Sequence, residues 1–252
     1  MGPRRGSRAL PRRSAGPGTN DAPRRGPFLG PLPMRPLAAA LFLSCLIAAP
    51  SRAETALTRD PGELAARAAQ GDSAAQVLLG RLYEKGLGVR PDIGLALEHY
   101  SAAAARGSAD AQIALGRLAY EGGGVYPDYE RAAGWFRLAA AQGDPRGDVE
   151  LGRMLADGRS LRRKVVAAAH HFAKAAAKNN ADGLFYLGLA FLNGDGVPLN
   201  VEKARDYFAA ASDAGHAEGA FHLALLYEST ALGRPDTAGA ARYMRLAAER
   251  GH

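Results

Sequence analysis

The sequence predicts an all-α fold, a right-handed α-solenoid of stacked helix-turn-helix repeats with a 36-residue period. Three observations carry this expectation. Leu79, Leu115, Leu151, Leu187 and Leu223 recur every 36 positions without a gap, each followed by a small residue, Gly80, Gly116, Gly152, Gly188 and Ala224. A second set keeps the same phase: Ala96, Ala132, Ala168, Ala204 and Ala240, then Tyr100, Phe136, Phe172, Phe208 and Met244, then Gly107, Gly143, Asn179, Gly215 and Gly251. Within each unit, apolar residues recur three and four apart, the helical period, in two stretches parted by a turn.

Residues 1–33 are rich in Arg, Pro and Gly and hold too little apolar surface to offset the entropy of ordering. A disordered segment is expected there, or one lying upstream of a true start at Met34. Residues 34–53 read as a signal peptide, with Arg35 as the positive region, an apolar run from Leu37 to Ala49, and Ser51-Arg52-Ala53 as the cleavage site. A helix of that run reaches only ~20 Å against a hydrocarbon core of ~30 Å, so no stable membrane span is expected. The reading places the mature chain in the periplasm or outside the cell. Cys45 is the single cysteine. Cleavage after Ala53 would leave neither disulfides nor a thiolate, and lipidation of Cys45 is the alternative.

Residues 54–71 are read as a linker and an N-terminal capping helix, Pro61 to Gln70, because Leu64 and Ala68 fall one period before Tyr100 and Ala104. Repeat 1 spans 72–107, with helix A over 74–85 and helix B over 92–106. Gly86 and Gly88 supply the turn, and Pro91 and Asp92 suit the start of helix B. Repeats 2 to 5 span 108–143, 144–179, 180–215 and 216–252. The turns of repeats 3 and 5 diverge: Leu155 and Ser160 replace a Tyr and a Gly in one, and Thr230 and Leu232 replace both glycines in the other. A helix-interior glycine costs ~1 kcal/mol relative to alanine. The Gly80, Gly116, Gly152 and Gly188 column therefore predicts close approach of the paired helix, with Tyr100, Phe136, Phe172, Phe208, Tyr83, Phe191 and Tyr227 filling the space between layers.

The formal charge of +7 does not belong to the repeats. Residues 1–53 hold nine arginines and one acid, Asp21, which leaves 23 basic and 24 acidic residues for the rest. A nearly neutral solenoid offers no nucleic-acid footprint, so no nucleic-acid partner is expected.

The pattern Ala75-x3-Leu79-Gly80-x2-Tyr83-x2-Gly86-x-Gly88-Val89-x2-Asp92-x3-Ala96-x2-His99-Tyr100-x2-Ala103-Ala104-x2-Gly107 recurs most fully over 111–143 and 183–215. It resembles the Sel-one-like repeat family, a branch of the tetratricopeptide-like solenoids. The resemblance implies a non-catalytic protein-interaction scaffold, commonly exported in bacteria and active in envelope signalling, polysaccharide assembly or host contact. Some cysteine-rich relatives are associated with penicillin-type ligands, which makes a ligand-binding or hydrolytic enzyme the alternative. Here the mature chain lacks cysteine and shows no His-Glu-x-x-His, Gly-x-Ser-x-Gly or Ser-x-x-Lys motif. Gly122-Gly123-Gly124 lacks the Lys-Ser/Thr of a phosphate loop. No catalytic residue, cofactor or metal is expected.

A partner site is expected along helix A. Arg81, Arg117 and Arg153 hold one position in three consecutive repeats and give way to Leu189 and Leu225. Three residues earlier stand Leu78, Ala114, Glu150, Tyr186 and His222. Stacking would align these into a strip, cationic at one end and apolar at the other, suited to a protein or peptide with carboxylates for the Arg forks. The competing view is a solvated face whose arginines pair locally with Glu84 or Glu121. Arg159, Arg162, Arg163 and Lys164 form a basic turn, either an anionic contact or a solvated loop. His99 and His171 share a column with Trp135, Tyr207 and Tyr243, which reads as packing; His170, His216 and His222 are likewise read as structural. The ends of the solenoid leave end-to-end self-association open.

Overall fold

Short side chains dominate the faces that meet inside each unit, and they let two helices lie close enough for one aromatic ring to fill the gap. The structure is a computed structural model that describes residues 61–123, 126–158 and 164–252. The expected leader (1–33), signal peptide (34–53) with Cys45, and turn residues Arg159, Arg162 and Arg163 lie outside these. Eleven helices and no strand occur among the described residues. They are α1 Pro61–Ala69, α2 Ser73–Lys85, α3 Ile93–Ala105, α4 Ala109–Glu121, α5 Tyr129–Ala141, α6 Pro145–Asp157, α7 Val165–Ala176, α8 Ala181–Asn193, α9 Val201–Asp213, α10 Ala217–Glu228 and α11 Thr237–Glu249. Each packs on its neighbours in sequence, and the even-numbered helices are the A helices of an all-α solenoid.

Both ends of nearly every helix are specified locally. Asp72, Ser108, Asp144, Asn180 and His216, 36 residues apart, accept backbone N–H groups at the starts of α2, α4, α6, α8 and α10. Asp92, Asp128, Asn200 and Asp236 do the same for α3, α5, α9 and α11, whereas Lys164 gives α7 no side-chain cap. The B helices end on a left-handed residue, Gly107, Gly143, Asn179, Gly215 or Gly251, with φ of +54° at Asn179 and +85° to +93° at the glycines. That conformation lets the next amide turn back, as Ser108 N–H does to the Ala103 carbonyl at 3.1 Å.

The divergent turns keep one feature. In all five units the amide that opens helix B donates to a carbonyl near the end of helix A: Asp92 to Tyr83, Asp128 to Ala119, Lys164 to Leu155, Asn200 to Phe191 and Asp236 to Tyr227, at 2.8–3.0 Å. In the fifth unit α10 ends on Ser229 in an extended conformation, and Gly233 at φ +99° supplies the reversal.

The helix-interior glycines have a sharper reason than close approach of two backbones. A Cβ on Gly80 would stand 2.6 Å from the Tyr100 ring, and on Gly116, Gly152 and Gly188 it would stand 2.4, 2.5 and 2.8 Å from Phe136, Phe172 and Phe208. The ring of helix B takes the space that a side chain on helix A would fill. These rings are buried, with Tyr100, Phe136 and Phe208 at 2 % exposure or less. The fifth unit relaxes both partners together, to Ala224 and Met244, and Met244 is 37 % exposed.

Candidate partner-binding face

The arginine position on helix A is set by the helical period, three residues beyond the stripe of Leu78, Ala114, Glu150, Tyr186 and His222. Folding turns that stripe into a charged cluster. Glu150 has a side chain only 9 % exposed, and it sits between two guanidiniums. Arg117 approaches Oε1 with Nε at 2.9 Å and Nη2 at 2.7 Å, while Arg153, one turn along α6, donates from Nη1 to Oε2 at 2.9 Å. The carboxylate of Arg117 is therefore on the next unit, not Glu121 of its own helix. Glu84 accepts a 2.6 Å hydrogen bond from the Tyr100 hydroxyl, whose pKa is raised by burial and by that carboxylate.

Further ties join successive A helices on this face. Arg146 reaches Asp110 at 2.6 Å and Asp144 at 2.5 Å. The Tyr120 hydroxyl donates to Asp157 at 3.0 Å, and burial first, then Asp157, pushes its pKa up to about 12. Arg153 lies over the Tyr186 ring, 5.9 Å from its centroid, and Tyr186 stacks on Phe172 at 5.0 Å. Asp182 faces Nε2 of His216 at 3.2 Å, and this bond, aided by Arg117 and Arg153, holds its carboxyl below the usual carboxylate range. His216 accepts the Gly219 amide on Nδ1, so its proton resides on Nε2, facing Asp182.

The residue ranges 73–108, 109–144, 146–180, 181–216 and 217–252 each match the Sel1 repeat. The chain belongs to the Sel1 repeat family. Sel1 repeat proteins are generally protein-interaction scaffolds. A Sel1 repeat protein from Oxalobacter formigenes superposes with a TM-score of 0.70 at 26% identity, over 77% of this chain and 76% of that one. The c5321 protein of uropathogenic Escherichia coli, a protective antigen, superposes with a TM-score of 0.62 at 29% identity, over 73% of this chain and 39% of that one. Immunity protein Pa5087 from Pseudomonas aeruginosa shares the fold, with a TM-score of 0.57 at 20% identity over 79% and 80%. No curated protein matches the chain.

In this Sel1 repeat chain the apolar positions of the strip are partly built into the core. Leu78 packs against the cluster of α1 and α2, Leu189 and Tyr186 pack against that of α8 to α10, and Leu225 is half-buried. His222 lies among Phe185, Phe208 and Phe221, with centroids 5.3–5.9 Å away, and burial lowers its pKa. The histidine column splits. His99 stacks on Tyr83 at 5.7 Å, as Tyr207 does on Phe191 and Tyr243 on Tyr227. His171, in the same column, hydrogen-bonds buried Asp148 at 2.8 Å.

Sequence reasoning missed the partners rather than the positions. Asp148, Asp182 and the capping role of His216 carried no signal beyond their place in the repeat, and His216 was legible only as the successor of Asp72, Ser108, Asp144 and Asn180. No group of three or more His, Cys, Asp or Glu fit to hold a metal ion occurs among the described residues, nor any helix long and apolar enough to cross a membrane. A half-open apolar hollow of about 330 Å³ between α1 and α2 is lined by Ala68, Leu79, Leu82, Val89 and His99. Two rings of its lining, Tyr83 and His99, are occupied in stacking on each other.

Proposed function

We propose that this Sel1 repeat chain is a non-catalytic scaffold of the bacterial cell envelope, periplasmic or secreted, that binds a protein partner along the inner face formed by its A helices. One observation carries the reading. The core columns repeat almost unchanged, whereas Leu78, Ala114, Glu150, Tyr186 and His222, and Arg81, Arg117, Arg153, Leu189 and Leu225, change chemistry from unit to unit on one continuous face. A face that varies while its frame is constant suits recognition of a partner. The leader-like residues 34–53 support export, and the protein-interaction role general to Sel1 repeats supports a macromolecular partner.

The test is crosslinked capture from the native envelope with the full chain as bait. Because Glu150 is buried between Arg117 and Arg153, neutralisation disturbs the fold less than charge reversal. The triple variant Arg81→Gln, Arg117→Gln, Arg153→Gln, with unchanged far-UV dichroism, is expected to lose the partner that the wild type captures. Equal capture by both proteins would move the binding surface elsewhere.

A further inference from the structure

We propose that Arg117 and Arg153 together form a subsite for a ligand carboxylate, in which the buried Glu150 holds both guanidiniums ready while leaving part of their hydrogen-bonding capacity for an acidic peptide segment. The proposal rests on the inner-face reading above and names the chemistry of the partner there.

Two guanidiniums converge on one carboxylate. Three of their nitrogens aim at Glu150: Nε and Nη2 of Arg117 at Oε1, and Nη1 of Arg153 at Oε2. Each guanidinium carries five N–H donors in a rigid fork. Nη1 of Arg117 and Nε and Nη2 of Arg153 have no acceptor among the described residues. Both side chains stay open to solvent, at 55% and 44% exposure, while Glu150 is at 9%. The carboxylate has both oxygens used, and the two arginines keep solvent-exposed surface beyond it.

Glu150 balances one of the two cations. Asp182 lies in the field of both arginines but turns an oxygen to His216 at 3.2 Å. Asp157 accepts from the Tyr120 hydroxyl. The guanidinium of Arg153 is steadied over Tyr186, whose ring also contacts Phe172 and Phe185. A docked carboxylate would meet donors already oriented, which reduces the ordering cost of binding. Tyr186 flanks the position, so an apolar residue beside the acid fits best. The carboxylate can come from an Asp or Glu side chain or from a chain terminus, and the test separates the two.

The experiment uses the full chain and follows the arginine Nε–Hε signals by NMR while short peptides are added at low ionic strength. The probes are Gly-Tyr-Glu-Leu-Gly blocked at both ends, its Gln counterpart, and Gly-Gly-Tyr-Leu with a free C-terminus. The blocked Glu peptide, the free-terminus peptide or both should shift the Arg117 and Arg153 signals saturably, and the Gln peptide should not; which of the two acts identifies the source of the carboxylate. Arg153→Gln should weaken the active probe at least tenfold. Glu150→Gln, which removes the negative charge that offsets the two cations while its amide oxygen still accepts from one of them, should tighten it severalfold, a gain that a purely structural Glu150–arginine tie would not give. Shifts no larger than those produced by acetate, or a Glu150→Gln variant that binds no more tightly, would overturn the subsite. Loss of partner capture on neutralising the arginines, with no response to any acid probe, would also overturn it while leaving the inner-face reading intact.

Discussion

The contact that repeats most faithfully is a ring resting on a missing side chain. At Gly116 an added methyl would meet Phe136 at 2.4 Å. Alanine there should gain about 1 kcal/mol of helix propensity and lose about 1–3 kcal/mol to overpacking of a buried ring. Gly116→Ala is therefore expected to lower the urea midpoint. Since the fifth unit pairs Ala224 with Met244, the double variant Gly116→Ala, Phe136→Met should cost less than the sum of its singles; an additive result would show that ring and glycine are not one unit. His222 offers a second test at this scale. Burial among three phenylalanines depresses its pKa, Glu218 opposes the shift, and His216 and His252 reinforce it. The folded state then binds fewer protons than the unfolded one. The stability it contributes is complete above the ordinary histidine value and is lost as pH falls from there toward the depressed value. Thermal melts of His222→Leu should therefore depend less on pH than wild type across this window, and parallel curves would exclude the mechanism.

Capping is what makes each helix begin where it does. Nine of the ten helices from α2 onward have a side chain that accepts an amide of the first turn, and α7 is the exception because Lys164 is a donor without an acceptor. The equivalent residues elsewhere are Asp92, Asp128, Asn200 and Asp236. Lys164→Asp should thus restore a bond to the first turn of α7 and raise stability by about 1 kcal/mol in a urea titration. No gain would mean that the α7 start is already satisfied by other groups. The turn before α7 is also the one whose sequence diverges at Ser160, yet its closing bond from Lys164 N–H to the Leu155 carbonyl persists at 3.0 Å. Turn residues vary where this backbone bond does the closing.

At the scale of the whole molecule, contacts run from neighbour to neighbour. Helices α2 to α11 pack in sequence, and side-chain ties such as Arg117 to Glu150 span about one period. Removal of one full period, 109–144, would join Ser108 to Pro145, two residues flanking equivalent helix starts. Gly147 would then face Ala104 in place of Ala140. The shortened chain should fold with unchanged ellipticity per residue and a cooperative urea transition. A chain that loses helix signal beyond the missing unit would reveal long-range dependence between units.

The repeat, its five units and the glycine and aromatic columns were legible in the sequence because each reports a local need: a helical period, a cap, a left-handed residue, a gap the size of a ring. Asn179 could be placed in the glycine column for the same reason. The partner of each polar side chain was not legible, since Glu150 meets Arg117 only when α4 and α6 lie side by side, 33 residues apart in the chain. A strip that read as three like cations became a buried carboxylate held between two of them. The hydrogen bond of His171 to buried Asp148 was likewise not legible, because the two are 23 residues apart in the chain. Local sequence sets the elements through backbone and side-chain preferences within a turn or two. Which charges cancel and which donors remain for a partner is decided by distances between helices, and only the stacked structure supplies those.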